Sequence, residues 1–567
     1  MVQLLVGPIV RATNTASVVI WVEVSHACSI TLRVTPYSEQ ENEVGSTSVH
    51  TLMVGGRHYA APQLQGLQPG TWYHYELFTD DAPLTDPSAP LLQCFRTLAA
   101  KVTEQAEEAQ QRAPLRFVYG SCRKLDRPED DTFNALGAWL LQYFEQREQV
   151  WPHLLLLIGD QIYADEPPTN FLQSHRDIAE NDGITTFPDF AQLYNYVWTA
   201  EKGVRQVLAT IPTYMIFDDH EVYNNWGVFP GWKEGMVRRG KEQLLVDGLV
   251  AYWIYQGWGN LLEREQSQHP LLKIMLAAEK SGEDALETLR ACIRDNFYGR
   301  NELAWHYTLP TKPPIFVTNT RADRTSVFGS AHTDAFYAPM HIMGQQQAAA
   351  LRDWMQQHDR EMTILVSSVP VLLPPLIGLV EYLAGVRLWS RSNALLRWIG
   401  KQLARLQLQF ALRESFDHWP IFADSWNDLL RMLKKRQRDT LLLSGDVHFS
   451  YAAEGRKLFA RGTRVRLYQL VSTPFQNTLT SRQRWMIEQQ SLITRIAYSG
   501  FRTRVLPLQR IEKAAQTRHH LLFNDTLAYV TLQPQSEHKY SIDQVYMSIV
   551  DGQLEAIART RFPHERT

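Results

Sequence analysis

The chain lacks most of the features that identify secreted, membrane-spanning or nucleic-acid-binding proteins. Only four of its 567 residues are cysteines, all widely spaced and without a Cys-x-x-Cys pair, which argues against a disulfide framework and against a zinc knuckle. The net charge of -3 gives no indication of a nucleic-acid partner. The first residues contain no secretory signal and no twin-Arg leader. We therefore expect a cytoplasmic protein without a nucleic-acid-binding module.

The length and the N-terminal pattern predict a small β-domain followed by a larger unit. A chain of 567 residues is too long for one hydrophobic core. Residues 1–100 consist of short alternating runs separated by turns, which is typical of an antiparallel β-sandwich. LQPGTWYHYEL at 67–77 resembles the strand corner of fibronectin type III-like domains, with Tyr73 as the corner tyrosine or, alternatively, an ordinary strand aromatic. The polar segment 101–114 is predicted to be a linker.

The stretch LLLLIGDQIY at 154–163 is the strongest local signal after the linker. Its apolar run is short, ends at a glycine and predicts a strand buried on both faces, as in a mainly parallel sheet. Asp160 and Tyr163 follow this strand, where catalytic side chains of such sheets collect. Because an unpaired buried carboxylate is costly, Asp160 is predicted either to reach solvent or to face a cation.

Three other segments have the same form, an apolar run followed by residues that can bind metals. LRFVYGSC ends at Cys122, IPTYMIFDDHE ends with Asp218, Asp219 and His220, and TLLLSGDVH ends with Asp446 and His448. Taken singly, the cysteine and His448 would be read as core residues and the aspartates as turn residues. Taken together, the four strand ends predict one cavity holding two unlike ions, a site suited to phosphate ester hydrolysis.

These four segments resemble, in order, the signatures of the PhoD-like alkaline phosphatase/phosphodiesterase family, a purple acid phosphatase-like branch of the metallophosphatases. The resemblance covers most of the chain. It implies an α/β metallophosphatase core over residues 115–567, in which two sheets pack between helices in four layers, behind the N-terminal sandwich. Two positions depart from the pattern: relatives commonly have an acidic residue where this chain has His153, and an aspartate where it has Asn319.

The resemblance also implies a role for each matching residue. Asp160 would be the carboxylate that bridges two ions, implied to be Fe(III) and Ca(II), although other divalent ions are possible. His220 would steer or protonate the leaving-group oxygen, and Arg123 would form a fork with phosphate oxygens. The implied iron ligands besides Asp160 are Cys122, Tyr163 and His448; the implied calcium ligands are Asp219, Asp446 and, more weakly, Asn225, with Asp218 supporting from behind.

Two insertions separate the motifs. Residues 225–305 are rich in tryptophan and are predicted to form helices near the cavity mouth. Residues 371–413 begin with an apolar stretch interrupted by Pro374 and Pro375, so they do not form a membrane-spanning helix. The basic residues that follow recur at helical spacing and predict an amphipathic helix. This helix would either cover the active site or lie on an anionic membrane surface.

Together these patterns predict a metal-dependent phosphoesterase in which a metal-bound hydroxide attacks a phosphate mono- or diester. The C-terminal alternating segments are expected to add strands to the core. Two alternatives remain open: a peripheral membrane phosphoesterase acting on phospholipid or another bilayer-borne diester, and a non-catalytic relative that acts as a binding module. The sequence leaves the natural substrate, the metals and the oligomeric state open.

Overall fold

Two antiparallel sheets of five strands form the N-terminal part of the chain. The computed structural model describes residues 2–37, 45–80, 82–85, 90–99, 113–181, 183–228, 231–322, 324–326, 340–385, 394–396, 398–400, 402, 417–457, 466–498, 501–536 and 539–562. One sheet contains Leu4–Thr13, Ser17–Val24, Arg57–Ala60, Leu52–Val54 and Gln63–Gln65; the other contains Cys94–Arg96, Trp72–Thr79, Ser29–Pro36, Gly45–His50 and Ala82–Pro83.

Alternating apolar residues hold these two sheets together. Ile20 from one sheet and Leu32 and Tyr75 from the other belong to a single buried cluster, as expected for strands with one face in a core. The Tyr73 hydroxyl accepts a hydrogen bond of 2.7 Å from the Gln68 backbone N–H. The predicted β-rich N-terminal region and the corner contact of Tyr73 are therefore confirmed.

The first core sheet has seven strands and contains three of the four strands predicted from the motifs. Its order is Thr213–Met215, Leu154–Leu157, Leu115–Gly120, Leu527–Ser536, Lys539–Val550, Gln553–Phe562 and Gln509–Arg510. The three motif strands are parallel and fully buried, and the C-terminal strands extend the sheet in antiparallel fashion. The expectation that the last segments join the core is confirmed.

The second core sheet has eight strands and contains the fourth motif strand. Its order is Tyr307–Leu309, Ile315–Val317, Thr363–Val366, Thr440–Ser444, Arg466–Val471, Tyr451–Lys457, Phe501–Val505 and Arg495–Tyr498. Strand Thr440–Ser444 has parallel partners on both sides. The ends of the four motif strands therefore converge from two sheets. Two further ladders pair Thr325–Ser326 with Met340–His341 and Thr517–Arg518 with Leu521–Leu522.

Side-chain alternation along Thr440–Ser444 explains how the two core sheets meet. Leu441 and Leu443 belong to the large hydrophobic cluster that also contains Leu155 and Leu157 of the first core sheet. Leu442 points to the opposite face and joins a second cluster, formed with helices that include Ala423–Lys435. A strand buried on both faces reads as a continuous apolar run, which is the pattern seen in the sequence.

Helices occupy the segments between strands. The bounds of the α-helices are Thr132–Gln142, Arg147–Val150, Thr169–Ser174, Arg176–Glu180, Phe187–Thr199, Lys202–Leu208, Trp232–Arg238, Glu242–Tyr252, Glu263–Gln266, Pro270–Ser281, Leu286–Phe297, Gln345–Gln357, Pro375–Gly385, Ala423–Lys435 and Ser481–Gln490. A π-helix spans Trp253–Gly257, and 3-10 turns span Pro128–Asp130, Phe144–Gln146, Asp219–Glu221, Trp258–Asn260 and Trp419–Ile421.

The insertion at 225–305 is helical, as predicted, and its tryptophans are buried in the large cluster. In the insertion at 371–413, a helix begins at Pro375 and ends at Gly385, and proline is well tolerated at a first helical position. Most of the predicted basic helix, including Arg397, Lys401 and Arg405, lies outside the described residues, as does most of the linker at 101–114. Among the described residues, no helix combines the length and the apolar character needed to cross a membrane.

Candidate metal centre

Four distant segments of the chain bring metal-binding side chains together around Asp160. Potential ligand atoms of Cys122, Asp160 and His448 lie within 4.8 Å of one another. The same limit holds for Asp160 with Asp219 and His220, and for a set of four carboxylates, Asp160, Asp218, Asp219 and Asp446. Asp160 is shared by these three sets, and a fourth set, formed by Asp417, His418 and Asp446, does not contain it.

The backbone directs these side chains through left-handed turns at the strand ends. The φ angles of Cys122, Asp160, Asp446 and His448 are 59°, 52°, 70° and 57°, a conformation that non-glycine residues rarely adopt. Gly159 has a φ of 109°, and a Cβ at this position would lie 2.5 Å from the Asp218 Cβ. Glycine is thus required where the two strand ends touch.

Ser121 joins the first core sheet to the second at the centre. The Asp446 backbone N–H donates to the Ser121 Oγ at 3.1 Å, and the same oxygen lies 3.1 Å from the Cys122 Sγ. A Cβ on Gly445 would stand 2.1 Å from the Ser121 Oγ. The glycine of the GDVH motif therefore makes room for the serine of the GSC motif.

Tyr163 completes the first set of donors. Its hydroxyl donates to the Asp160 Oδ2 at 3.4 Å, and its ring stacks on His220 with 4.4 Å between centroids. The Asn477 side-chain amide donates to the Tyr163 hydroxyl at 2.9 Å and lies 3.4 Å from the His448 Nε2. No local pattern marks Asn477, because only the tertiary fold lays its segment beside Ser121 and Cys122.

The second set is built around the turn Asp219–Glu221. The Asn225 backbone N–H donates to the Asp219 Oδ2 at 2.6 Å, so the predicted weak ligand does lie beside Asp219. Asp218 caps the turn by accepting from the Asp219 N–H, and its Oδ2 is buried without a partner among the described residues. The geometry therefore brings Asp218 as close to the centre as Asp219.

Glu221 fixes the backbone on which these ligands stand. Its Oε2 accepts from the N–H groups of Asp160 at 3.0 Å and Asp218 at 2.7 Å, and its Oε1 accepts from the Gln161 N–H at 2.6 Å. Burial raises the pKa of Glu221 to about 7, although the hydrogen bonds from Gln161 and Gln256 oppose the shift. The only sequence signal for Glu221 was its place as the last residue of the DDHE segment.

His220 is oriented by Asp165, a residue that the sequence reasoning missed. The His220 Nδ1 lies 2.8 Å from the Asp165 Oδ1. Burial favours the neutral ring, but Asp160 and Asp165 hold the pKa of His220 well above its usual value. Asp165 lies only two residues after Tyr163, so its place in the GDQIYADE stretch was the available signal.

The contacts of Arg123 lie inside the fold. Its side chain is buried and forms an ion pair of 2.7 Å with Asp131, and a second guanidinium N–H donates to the Val197 carbonyl at 2.8 Å. The guanidinium is also 5.7 Å from the Phe133 ring centroid. Its charge is therefore paired with a neighbouring carboxylate, and the phosphate contact of Arg123 stays a prediction.

Arg321 supplies positive charge behind the carboxylates. Its guanidinium bonds to Asp218 and Asp417, and its Nη2 donates to the Asp446 Oδ1 at 3.2 Å. Asn319, the residue that departs from the family pattern, accepts from the Arg321 N–H at 3.2 Å. Its amide therefore serves the turn from which Arg321 extends.

The donor atoms are of the kinds that bind metal cations. Burial and nearby carboxylates raise the pKa of Asp160, Cys122 and Tyr163 well above their usual values, so a cation would release protons as it binds. Burial lowers the pKa of His448 to about 4, which keeps its imidazole neutral, the form that binds metals. Thiol, phenol and imidazole suit a transition metal, and the carboxylate set suits a harder ion.

Comparison with known families and solved structures shows what this chain is similar to. Residues 117–252 match the family model described as PhoD-like phosphatase, and residues 1–92 match a domain of unknown function, DUF7800. The family predicted from the four motifs is thereby confirmed: residues 117–252 belong to the PhoD-like phosphatases. No curated protein sequence matches the chain.

Solved structures extend the likeness to nearly the whole chain. The structure described as "Structure of PhoD" is 14% identical, with a TM-score of 0.59, and the match covers 97% of this chain and 87% of that one. A sensor domain of the anti-sigma factor RsgI4 of Pseudobacteroides cellulosolvens (20% identity, TM-score 0.14) is matched over 19% of this chain and 100% of that chain. GAP50 of Plasmodium (9% identity, TM-score 0.29) is matched over 79% and 90%. Of these three structures, only PhoD has a TM-score above 0.5, and at 14% identity its likeness to this chain concerns the fold.

Proposed function

We propose that the chain hydrolyses phosphate mono- or diesters at a dinuclear metal centre. The observation that carries this proposal is the shared position of Asp160, which lies within 4.8 Å of both the Cys122–His448 set and the carboxylate set. Two bound cations would lower the pKa of water and stabilise the charge that develops on the phosphoryl oxygens. The family match to PhoD-like phosphatases supports the same reaction class.

The residues around the centre would have different roles in the reaction. Cys122, Tyr163 and His448 would hold one ion, and Asp219 and Asp446, with Asn225 beside them, would hold the other; Asp160 would join both. His220, kept protonated by the carboxylates around it, would give its proton to the leaving-group oxygen. The ring is already aimed by its bond to Asp165, so proton transfer requires little reorientation.

Lys124 is the best candidate to replace Arg123 in holding the substrate phosphate. Its Nζ pairs with the Glu166 Oε2 at 2.6 Å, and 24% of its side chain is exposed. It also lies 5.9 Å from the Tyr163 ring centroid. A partly exposed cation beside the proposed centre can meet an incoming anion, whereas the Arg123 guanidinium is buried.

Hydrolysis of p-nitrophenyl phosphate and bis-p-nitrophenyl phosphate tests the proposal. Wild-type protein purified without chelator is expected to hydrolyse at least one of them. Asp160→Asn is expected to lose about 10³-fold, because metal stabilisation of the transition state is worth several kcal/mol. Equal hydrolysis by both proteins would refute a centre organised by Asp160, and absence of activity with intact metal binding would favour the non-catalytic binding module.

The implied Fe(III) and Ca(II) are also part of this proposal. Tyrosinate bound to Fe(III) absorbs visible light, so a coloured wild-type protein and a colourless Tyr163→Phe variant are expected. Elemental analysis of both proteins is the matching measurement. A colourless wild-type protein loaded with zinc would contradict the iron assignment but leave hydrolysis untouched.

A membrane-peripheral phosphoesterase is the second candidate. It is favoured by large apolar side chains that are exposed on and beyond the second insertion, namely Leu395 (68% exposed), Trp398 (60%) and Trp485 (61%). Such side chains among arginines suit an anionic bilayer. Pelleting with anionic vesicles that weakens with salt would support this candidate, and no pelleting would remove it.

The finer predictions on architecture and location stay predictions. They comprise the fibronectin III-like type of the N-terminal sheets, the four-layer arrangement of the core, the division at 1–100, 101–114 and 115–567, and the cytoplasmic location. Limited proteolysis between 101 and 114, followed by mass spectrometry of the fragments, tests the division. Cell fractionation tests the location.

A further inference from the structure

Glu381 is the one charged residue of the helix Pro375–Gly385. The helix Pro375–Gly385 is otherwise apolar, yet this carboxylate is fully buried within it, and its Oε2 has no partner among the described residues. A buried carboxylate costs far more than the leucine that would suit such a helix. A cost of this kind is commonly borne where the group serves a site.

The other oxygen of Glu381 reaches the metal centre through one histidine. The His418 Nδ1 lies 2.6 Å from the Glu381 Oε1, and its Nε2 lies 3.0 Å from the Asp446 Oδ2. Both ring nitrogens therefore face carboxylate oxygens, which only accept, so the ring acts as a donor on both sides. Three side chains from three distant segments form one buried chain of hydrogen bonds.

The backbone around His418 keeps this chain of contacts in place. The next residue, Trp419, is completely buried, and its indole N–H donates to the Ser367 Oγ at 2.9 Å. Ser367 follows the strand Thr363–Val366, the parallel neighbour of the strand that leads to Asp446. The residue after His418 is therefore bonded to the segment that follows one strand, and Asp446 follows the neighbouring strand of the same sheet.

Asp446 is thus held from two sides. Arg321 donates to its Oδ1 at 3.2 Å, and His418 faces its Oδ2. The Asp446 backbone is left-handed, with a φ of 70°. A non-glycine residue keeps this strained conformation only when the surrounding structure holds it there. Two partners on opposite oxygens fix the plane of the carboxylate and leave its remaining lone pairs for a cation.

We propose that His418, oriented by Glu381, is a positioning residue for Asp446 and couples the helix Pro375–Gly385 to the carboxylate set of the metal centre. The inference rests on the proposed function, since it assigns Asp446 to a bound cation. Partners of metal ligands tune affinity by fixing ligand orientation. The helix of the second insertion is then part of the centre's support and more than a surface feature.

Cation affinity tests the inference without relying on turnover. Ca²⁺, Mg²⁺, Mn²⁺ and Zn²⁺ are each titrated into metal-stripped wild type, and the tightest ion is used for the variants. His418→Gln is expected to weaken binding of the ion at the carboxylate set by 10- to 100-fold. The single variant Glu381→Gln keeps an oxygen acceptor for the His418 ring and is expected to bind the ion with nearly wild-type affinity. The single variant Glu381→Leu removes this acceptor and is expected to bind the ion more weakly.

Two controls separate positioning from simple loss of structure. His358 pairs with Glu361 in a part-exposed position at the end of the helix Gln345–Gln357, so His358→Gln removes a similar pair that does not contact the centre. The double variant with Glu381→Leu and His418→Leu replaces both buried partners with apolar groups, and its metal-free form is expected to keep the melting temperature of wild type. Its cation affinity is nevertheless expected to fall.

The outcomes distinguish this inference from the proposed function. Affinity of His418→Gln and of the double variant within twofold of wild type, equal to that of His358→Gln, would overturn the positioning role. If wild type itself bound no cation and hydrolysed no phosphate ester, the proposed function would fall with it. If wild type bound two ions and hydrolysed ester while all variants matched it, only the positioning role would fail.

Discussion

At the scale of single residues, the centre is distinguished by its backbone as much as by its side chains. Of the nine non-glycine residues with positive φ in the described part of the chain, five are Cys122, Asp160, Asn225, Asp446 and His448. Each such residue costs about 1–2 kcal/mol relative to a right-handed conformation. Strain concentrated on the proposed ligands indicates that the rest of the fold holds them in place for function.

Crowded carboxylates give the first prediction. Burial and the charge of Asp218 raise the pKa of Asp160 well above its usual value, so the charged form is disfavoured until a cation binds. Asp160→Asn is therefore expected to stabilise the metal-free protein by about 1 kcal/mol while abolishing hydrolysis. Urea unfolding in the presence of chelator measures this change. Asp353→Asn, at an exposed position of the helix Gln345–Gln357, is the control and should leave stability unchanged.

The pair of His220 and Asp165 gives a prediction on pH dependence. A general acid must be protonated, so activity falls as the pH rises through its pKa. Asp165 helps to keep the pKa of His220 high, so Asp165→Asn should move the alkaline fall of kcat to lower pH. The profile is best measured with an alkyl phosphodiester, whose poor leaving group needs the proton. If kcat of Asp165→Asn falls at the same alkaline pH as kcat of wild type, His220 does not act as the general acid.

At the scale of elements, the strand Leu115–Gly120 meets its neighbour through a half-buried histidine. The Arg116 backbone N–H donates to the His153 Nδ1 at 3.2 Å, just before the strand Leu154–Leu157 begins. Burial, together with the charges of Arg116 and Arg96, lowers the pKa of His153 to about 3. The histidine that departs from the family pattern therefore has a structural role at the start of the central strand.

This contact makes the fold sensitive to acid. The pKa of His153 in the folded protein lies below the unfolded value of about 6.5. The neutral His153 ring therefore makes its full contribution to the free energy of unfolding above about pH 6.5. As the pH falls towards 3, the contribution is lost at about 1.4 kcal/mol per pH unit. The free energy of unfolding should fall less steeply between pH 6.5 and 5 in His153→Gln than in wild type. His50→Gln, at an exposed strand end, should keep the wild-type slope.

At the scale of the whole molecule, the N-terminal sheets and the phosphatase core share one hydrophobic cluster. Trp21 lies 5.5 Å from Tyr255 and 6.4 Å from Trp198 of the core, measured between ring centroids. Nearby, the buried Arg11 donates to the Asn260 Oδ1 at 2.9 Å. These contacts join elements far apart in sequence, so we expect the two parts to unfold together.

Truncating this tryptophan tests the shared cluster. Trp21→Ala should lower the free energy of unfolding by about 3–5 kcal/mol and leave a single calorimetric transition at lower temperature. Trp485→Ala, at an exposed position, should change the transition little. Two separate transitions in Trp21→Ala, with only one shifted, would mean that the N-terminal sheets unfold on their own.

The motif strands and most of the proposed ligands followed from local sequence. A buried parallel strand has a continuous apolar run, and the residue at which this run ends marks the edge where side chains meet. This placed Cys122, Asp160 and Tyr163 correctly beside one another. The sheet to which each motif strand belongs did not follow from it: the hydrophobic pattern is the same in both core sheets, so it could not assign Thr440–Ser444 to the second.

What the sequence determined by itself was the set of residues at the strand ends, because that depends on contacts within a few residues. The tertiary structure alone decided which distant partners those residues have. It paired Arg123 with Asp131, laid Asn477 beside Tyr163, and brought Glu381 and His418 to Asp446. The physical reason is that a charged side chain pairs with whatever the packing of sheets and helices places within about 3 Å, and such pairs leave no local pattern.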